Sequence, residues 1–343
     1  MKASWKKHQL IFKNPAGTSR GILKTKDSYF LIIEDKNKIG IGECGLLKGL
    51  SIDDRPDYEA RLNQCCENID SDFLEHYKSL VEFPSIQFGL EMALRDLNSE
   101  NHVLFPSPFT DGNDLQAING LVWMGDKEFM RSQVKARVEA GFEVIKMKIG
   151  AINLVEEFGI LKTLRSEFKA KDIEIRVDAN GAFKPKQALE VLKRLGDLDI
   201  HSIEQPIAKG QWQEMARLCE DSPIPIALDE ELIGIFESEK KSELLSTVKP
   251  QYIILKPSFI GGFRGSEEWV SLALKESVNW WVTSALESNV GLSAIAQWNY
   301  TLKNPMPSGL GTGSLYSNNF QSPLSIKDGK IGFNSKQAWN INL

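Results

Sequence analysis

Five ionisable residues recur at near-even intervals through the middle of the chain: Lys148, Asp178, Glu204, Asp229 and Lys256, each step spanning 25 to 30 residues. Each closes a short apolar run, in VIKMKI (144–149), IEIRVDA (173–179), HSIEQ (201–205), IPIALDE (224–230) and YIILKP (252–257). Three carboxylates within a few ångströms of one another cannot all stay ionised unless a cation holds them. Hard oxygen ligands select Mg²⁺, with Mn²⁺ as a close substitute, over zinc or copper. Lysines flanking such a metal suit abstraction of a proton α to a carboxylate, with the metal stabilising the resulting enediolate. Lys146, two residues before Lys148, shares its face of a strand. Burial and a second ammonium group nearby bring a lysine's pKa down toward the range a base needs. A single Asp or Lys at a strand end is ordinarily a turn, cap or surface charge. Five in order at one structural period point to a shared site. Asn180, two residues after Asp178, falls on the same face if the strand continues. Glu230 and Glu231 read as rim charges, and no role falls to His8, His76, His102 or His201.

The elements that must position these residues follow the same period. From about residue 117, short apolar strands alternate with amphipathic helices such as PKQALEVLKRLG (185–196), the rhythm of a closed (β/α) barrel. Side chains at equivalent strand ends of a barrel converge on its C-terminal mouth. An open doubly wound sheet is the alternative, but no Gly-rich nucleotide fingerprint follows the first strand. GLGTGS (309–314) reads as a loop. The first hundred residues differ. Strand-like runs separated by polar turns at Lys26-Asp27-Ser28 and at 35–38 precede helical runs, which suggests a separate α+β lobe. A Pro- and Asn-containing stretch at 101–114 reads as the linker out of it.

Composition narrows the function classes. The 343 residues include 8 Trp and 17 Phe, ample for a large core. A net charge of −5, with no block of Lys and Arg, argues against a nucleic-acid partner. No apolar run approaches the ~20 residues that span a bilayer, and no signal-peptide stretch follows MKASWKKHQLIFKN. Cys44, Cys65, Cys66 and Cys219 show neither metal-type nor disulfide-framework spacing. The expectation is a cytoplasmic enzyme acting on a small-molecule carboxylate. Oligomeric state stays open, a homo-oligomer included.

Lys146-x-Lys148, Asp178-x-Asn180, Glu204-Gln205-Pro206, Asp229-Glu230 and Lys256-Pro257 on successive strands resemble the enolase superfamily, in its muconate-lactonizing-like branch. GECGLLKGLS (42–51) is similar to the Gly-Glu-x-x-Pro-Leu-x-Gly-Leu-Ser loop of o-succinylbenzoate synthases, with Leu46 in place of the proline. KPSFIGG (256–262) and SALESNVGL (284–292) resemble that family's sixth- and seventh-strand motifs, and NPAGTSRG (14–21) a mobile loop of its capping domain. The resemblance implies a (β/α)7β modified TIM barrel over 111–305. An α+β capping domain would cover 1–110 and be completed by 306–343. It implies syn-dehydration of 2-succinyl-6-hydroxy-2,4-cyclohexadiene-1-carboxylate to 2-succinylbenzoate, a menaquinone precursor. Lys148 would be the base and then the acid, Lys256 the opposing cation, and Lys146 a support for Lys148 and the substrate carboxylate. Asp178, Glu204 and Asp229 would hold Mg²⁺. Ser19 and Arg20 are candidates for the succinyl tail. Asn180, Ser284, Glu287 and Ser288 are candidate pocket residues, although Ser288 could equally cap the helix after it.

Two rivals remain at this level. An N-acylamino-acid racemase or dipeptide epimerase of the same superfamily shares the five residues, but usually carries an Asp-x-Asp on the last strand. Here Glu287 is the only acidic residue in 280–315. A non-catalytic metal-binding barrel would have no need of both lysines.

Overall fold

Alternating apolar residues over the first 44 positions build an antiparallel meander of β1 (Lys2–Thr18), β2 (Gly21–Asp35) and β3 (Lys38–Cys44). The computed structural model describes residues 1–18, 21–150 and 153–343. Lys26-Asp27-Ser28, expected as a turn, lies inside β2, paired with Leu10, Gln9 and His8. Strand alternation explains the difference. Asp27 points outward to Lys7, at 2.9 Å, while Lys26 and Ser28 turn inward toward Glu43 of β3. A polar run can occupy a strand when each inward group finds a partner. Residues 14–18 and 21, expected within a loop, continue the hairpin, with Ala16 opposite Leu23 and Thr18 opposite Gly21.

Helices α1 (Tyr58–Glu67), α2 (Phe73–Ser79) and α3 (Pro84–Leu97) follow. Pro84 opens α3, where its missing N–H has no intrahelical partner to lose. This helix is buried around most of its circumference because β3 covers one side and the barrel helices another. Gly40 and Gly42 permit that approach: a Cβ on either would collide with the α3 backbone at Ala93 or Gly89.

Next come β4 (Gln116–Ala117), β5 (Gly120–Val122), α4 (Lys127–Glu139), β6 (Val144–Lys148), α5 (Leu154–Glu167), β7 (Glu174–Asp178) and α6 (Pro185–Gly196). The alternation continues through β8 (Ser202–Glu204), α7 (Trp212–Asp221), β9 (Ile226–Leu228), α8 (Ser238–Val248) and β10 (Tyr252–Leu255). It ends with α9 (Pro257–Ile260), α10 (Gly262–Lys275), β11 (Asn279–Val282) and α11 (Asn289–Thr301). The helix α6 shows the packing logic. Ala188, Val191, Leu192 and Leu195 form its buried face, and its polar residues face outward.

Strands β5 to β11 form one parallel sheet in sequential order. Its two edges meet at Ser308-Gly309, through parallel bridges Ile118–Ser308 and Thr283–Gly309. That short segment takes the place of an eighth strand, giving the modified TIM barrel with its additional lobe. The C-terminal stretch serves both parts. Tyr316 bridges Phe12 of β1, whereas β12 (Leu324–Lys327) and β13 (Lys330–Phe333) form a sheet with β4. Among the described residues no helix is long and apolar enough to cross a membrane.

Candidate active site

Parallel pairing places Lys148 beside Asp178, and Asp178 beside Glu204, at the C-terminal ends of β6, β7 and β8. Asp229 directly follows β9 and Lys256 directly follows β10. Side-chain contacts join all of them and Lys146 into one run of alternating charge. Lys148 Nζ donates to Asp178 Oδ2 at 2.9 Å, and Lys146 Nζ lies 2.9 Å from the same oxygen. Lys146 Nζ also donates to Glu204 Oε2 at 2.6 Å. Lys256 stands 3.9 Å from Glu204 Oε1 and donates to Asp229 Oδ2. Three ammonium groups thus interleave three carboxylates, which answers how an apolar strand tolerates two lysines.

Electrostatics follow from that order. Burial opposes charge on Lys146, but Asp178 and Glu204 together outweigh it and hold the ammonium above its usual range. Burial likewise opposes ionisation of Asp178, and Lys146 and Lys148 overcome it, holding the carboxyl well below the usual range. Glu204 moves the other way, pushed up by burial and by Asp178 beside it. Lys256 is raised, because Asp229 and Glu204 overcome its burial.

Among the described residues no three acidic, histidine or cysteine side chains stand as a ready-made metal cage; the ammonium groups separate the carboxylates. The donor set still fits a hard divalent cation. Three carboxylates sit on adjoining strand ends, and Glu204 Oε1 is buried without a hydrogen-bond partner.

Asn180 does not continue the strand. Its backbone is left-handed, at φ 45°, and its side chain accepts from Lys148 Nζ at 2.7 Å while donating to Glu230 Oε1 at 3.0 Å. Glu230 and Glu231 are therefore not rim charges. Both are buried in a tight turn, Glu230–Leu232, that follows Asp229. Glu231 accepts from Gln205 Nε2 at 3.0 Å and from Gly210 N–H at 2.7 Å. An acid-rich sequence next to a strand end gave no sign of these inward partners.

The cluster opens into a cavity of about 120 Å³. Lys146, Lys148, Asp178, Asn180 and Lys256 line one side, and Trp123 and Phe259 add aromatic surface. Leu23, Leu47, Lys48 and Leu50 cover it from the N-terminal lobe. Sequence reasoning missed these lobe residues; the GECGLLKGLS motif that carries three of them was the one available signal. A wider groove of about 880 Å³ past Arg95 and Arg264 contains none of the lysine–carboxylate cluster.

Of the remaining expected contacts, Ser284 does line the cavity. Glu287 and Ser288 do not. Glu287 is fully buried and accepts from Ser258 Oγ at 2.5 Å and from Ala285 N–H at 2.7 Å. Ser288 caps α11 by accepting from Val290 N–H, and it donates through Oγ to Glu43 Oε2 at 2.5 Å. Both are drawn away from the cavity because their partners lie behind its wall, at the junction with β3. Ser19 and Arg20 lie outside the described residues.

Comparison with known proteins places this geometry. The family model for the enolase C-terminal domain-like fold matches residues 129–337. The chain is 43% identical to an o-succinylbenzoate synthase of Desulfotalea psychrophila, across 97% of this chain and 99% of that one. The crystal structure of MenC from the same organism superposes with a TM-score of 0.86 at 40% identity, covering 97% of this chain and 99% of that one. A substrate-liganded L-Ala-D/L-Glu epimerase from Bacillus subtilis shares the fold at 20% identity, with a TM-score of 0.83 and coverage of 99% and 100%. Identity at that level across both chains, on a barrel whose strand ends carry the alternating lysines and carboxylates, shows that the chain belongs to the o-succinylbenzoate synthase family of enolase C-terminal domain-like lyases.

Proposed function

We propose that the protein dehydrates 2-succinyl-6-hydroxy-2,4-cyclohexadiene-1-carboxylate to 2-succinylbenzoate, with Asp178, Glu204 and Asp229 holding Mg²⁺. Mn²⁺ would substitute for it. The observation that supports this most is the 43% identity over nearly the full length of both chains to a protein of that activity. Mg²⁺, when bound, supplies positive charge beside the substrate carboxylate as negative charge builds there.

The chain's own residues account for the proton movements. Lys148, in its neutral form, takes the proton from the ring carbon that bears the carboxylate. The electron pair left behind closes the new ring double bond as the neighbouring C–O bond breaks. Lys148 then returns its proton to the departing hydroxide, which leaves as water. Asn180 and Asp178 orient that amine through their bonds to Nζ. Lys256 faces the developing negative charge as a fixed cation, and Lys146 supports the ring carboxylate. The apolar cover from Leu23, Leu47 and Leu50 keeps bulk water away from the amine. Aromaticity of the product drives the elimination, so few specific polar contacts are required of the pocket.

The epimerase alternative needs an acidic anchor for an amino group on the last strand. Glu287, the only acid available there, is buried away from the cavity. The same reading makes the reaction a cytoplasmic step toward menaquinone. Direct assay of the cyclohexadiene with and without Mg²⁺ tests it: formation of 2-succinylbenzoate only with the metal is expected, and no product in either condition removes the proposal.

A further inference from the structure

The two edges of the barrel meet at a seam that differs from the rest of the cavity wall. Ser308-Gly309 runs between Ile118 and Thr283, and the Asn119 N–H donates to Ser308 O at 2.9 Å. Asn119 and Thr283 therefore flank Gly309 on its two sides, and all three line the cavity. Thr283 also sits level with Lys256, since its N–H donates to Leu255 O at 2.9 Å. Gly309 lets Thr283 pack directly against this segment: a Cβ there would come within 2.7 Å of Thr283 Cγ2.

Both flanking side chains hold polar atoms in need of a partner. Asn119 and Thr283 are each 4% exposed, and Asn119 Oδ1 and Thr283 Oγ1 are buried without a hydrogen bond. Buried polar atoms in folded proteins are nearly always paired, and an unpaired one costs stability. Neighbouring polar groups do not fill the need. Ser284 Oγ and Thr312 Oγ1 bond each other at 2.7 Å. Ser308 Oγ is a third unpartnered polar atom on the seam, but Ser308 does not line the cavity.

We propose that Asn119 and Thr283 form a neutral hydrogen-bonding subsite for the ketone oxygen of the substrate's succinyl arm, an inference that rests on the dehydration reading above. The chemistry sorts the substrate's polar groups. The ring carboxylate belongs with the lysines. The departing hydroxyl must stand near Lys148, which protonates it. The terminal carboxylate of the arm calls for a cation, and among the described residues the seam supplies none. The ketone is the neutral acceptor that remains. The Thr283 hydroxyl donates as it stands, whereas the unpartnered Asn119 Oδ1 only accepts, so Asn119 donates once its amide rotates about its last bond to put the NH₂ end where Oδ1 lies.

The test compares binding of 2-succinylbenzoate with its analogue lacking the ketone, 2-(3-carboxypropyl)benzoate, by calorimetry in the presence of Mg²⁺. Wild type is expected to prefer the ketone about tenfold, the worth of one or two hydrogen bonds. The preference should survive in Thr283→Ser, which keeps the hydroxyl, and fall to about one in the Asn119→Leu/Thr283→Val double variant. Each ratio is internal to one protein, so a partly unfolded variant does not distort it. A wild type indifferent to the ketone, or a double variant with the full preference, overturns the subsite while leaving dehydration intact. A wild type that neither binds 2-succinylbenzoate nor forms it removes the dehydration reading and the subsite with it.

Discussion

Lys148 donates its ammonium to Asn180 Oδ1 at 2.7 Å, and Asn180 reaches that position only by leaving the strand at φ 45°. Asparagine is among the few residues that adopt a left-handed backbone at small cost. Its amide end simultaneously holds Glu230, so Lys148, the proposed base, is tied through one side chain to the turn after β9. Replacing Asn180 with Leu should lower kcat by roughly 10- to 100-fold, the equivalent of a hydrogen bond to a charged group, with little change in KM. An equal loss in KM alone would show that Asn180 binds substrate rather than orienting the amine.

Lys148→Ala should lose ~10²–10⁴ in turnover, as expected for a positioned general base. Lys148→Arg should not restore it, because a guanidinium stays protonated at any working pH. Steady-state assay of both variants decides the point, and a variant at full rate would take the base from Lys148.

Magnesium should stabilise the fold as well as support turnover. A ligand at 100 times its Kd adds about 2.7 kcal/mol if it binds only the native state. Thermal melts across a Mg²⁺ series should therefore rise for wild type and stay level for Asp229→Asn or Glu204→Gln. A variant whose midpoint climbs as steeply as the wild type's would remove that carboxylate from the ligand set.

Glu43 joins the N-terminal lobe to the barrel. It accepts from Ser28 Oγ at 2.8 Å, Ser288 N–H at 2.9 Å, Ser288 Oγ at 2.5 Å and Gly291 N–H at 2.9 Å, with Lys26 Nζ at 3.9 Å. Glu43→Ala would take the facing carboxylate from the buried Lys26 Nζ, leaving it the bond to Ser28 Oγ, and a loss of about 3–5 kcal/mol is expected. Denaturant unfolding measures it. A loss under about 1 kcal/mol would mean that Lys26 is held chiefly by other groups.

Burial pushes the Glu91 carboxyl up to about 8, although the Phe263 and Arg264 N–H groups donate to it. The folded chain then keeps a proton that the unfolded chain releases near pH ~4.3. Protons bound to the native state in excess make stability fall as pH rises through that window, up to the folded value. Glu91→Gln keeps an acceptor without the ionisation, so its melting midpoint should fall less between about pH 5 and pH 8. Parallel curves for the two proteins would show that Glu91 ionises normally.

The five charged strand ends were legible because one strand and one helix together fix a repeat length, and period alone aligns equivalent positions. The lobe's meander was legible in its apolar alternation, but Lys26-Asp27-Ser28 was not, since three polar residues in a row carry the local signature of a turn. What overrode that signature is a carboxylate on the next strand. Glu287 was misplaced for a related reason, and of the two roles open to Ser288 the structure shows the helix cap. A strand end predicts nearness to the mouth, not which way a side chain turns, and Ser288 turns toward a partner 245 positions earlier in the chain.

By itself the sequence determined the architecture, the order of lysines and acids around the mouth, and the family. These depend on periodicity and residue type, which are local. Only the tertiary structure decided which charges pair, that Glu230 and Glu231 face inward, and that Asn119 and Thr283 flank Gly309 with buried polar atoms left unpartnered. Those outcomes depend on which buried polar groups find partners across the closed barrel, and partners so distant along the chain leave no mark on their own neighbourhoods.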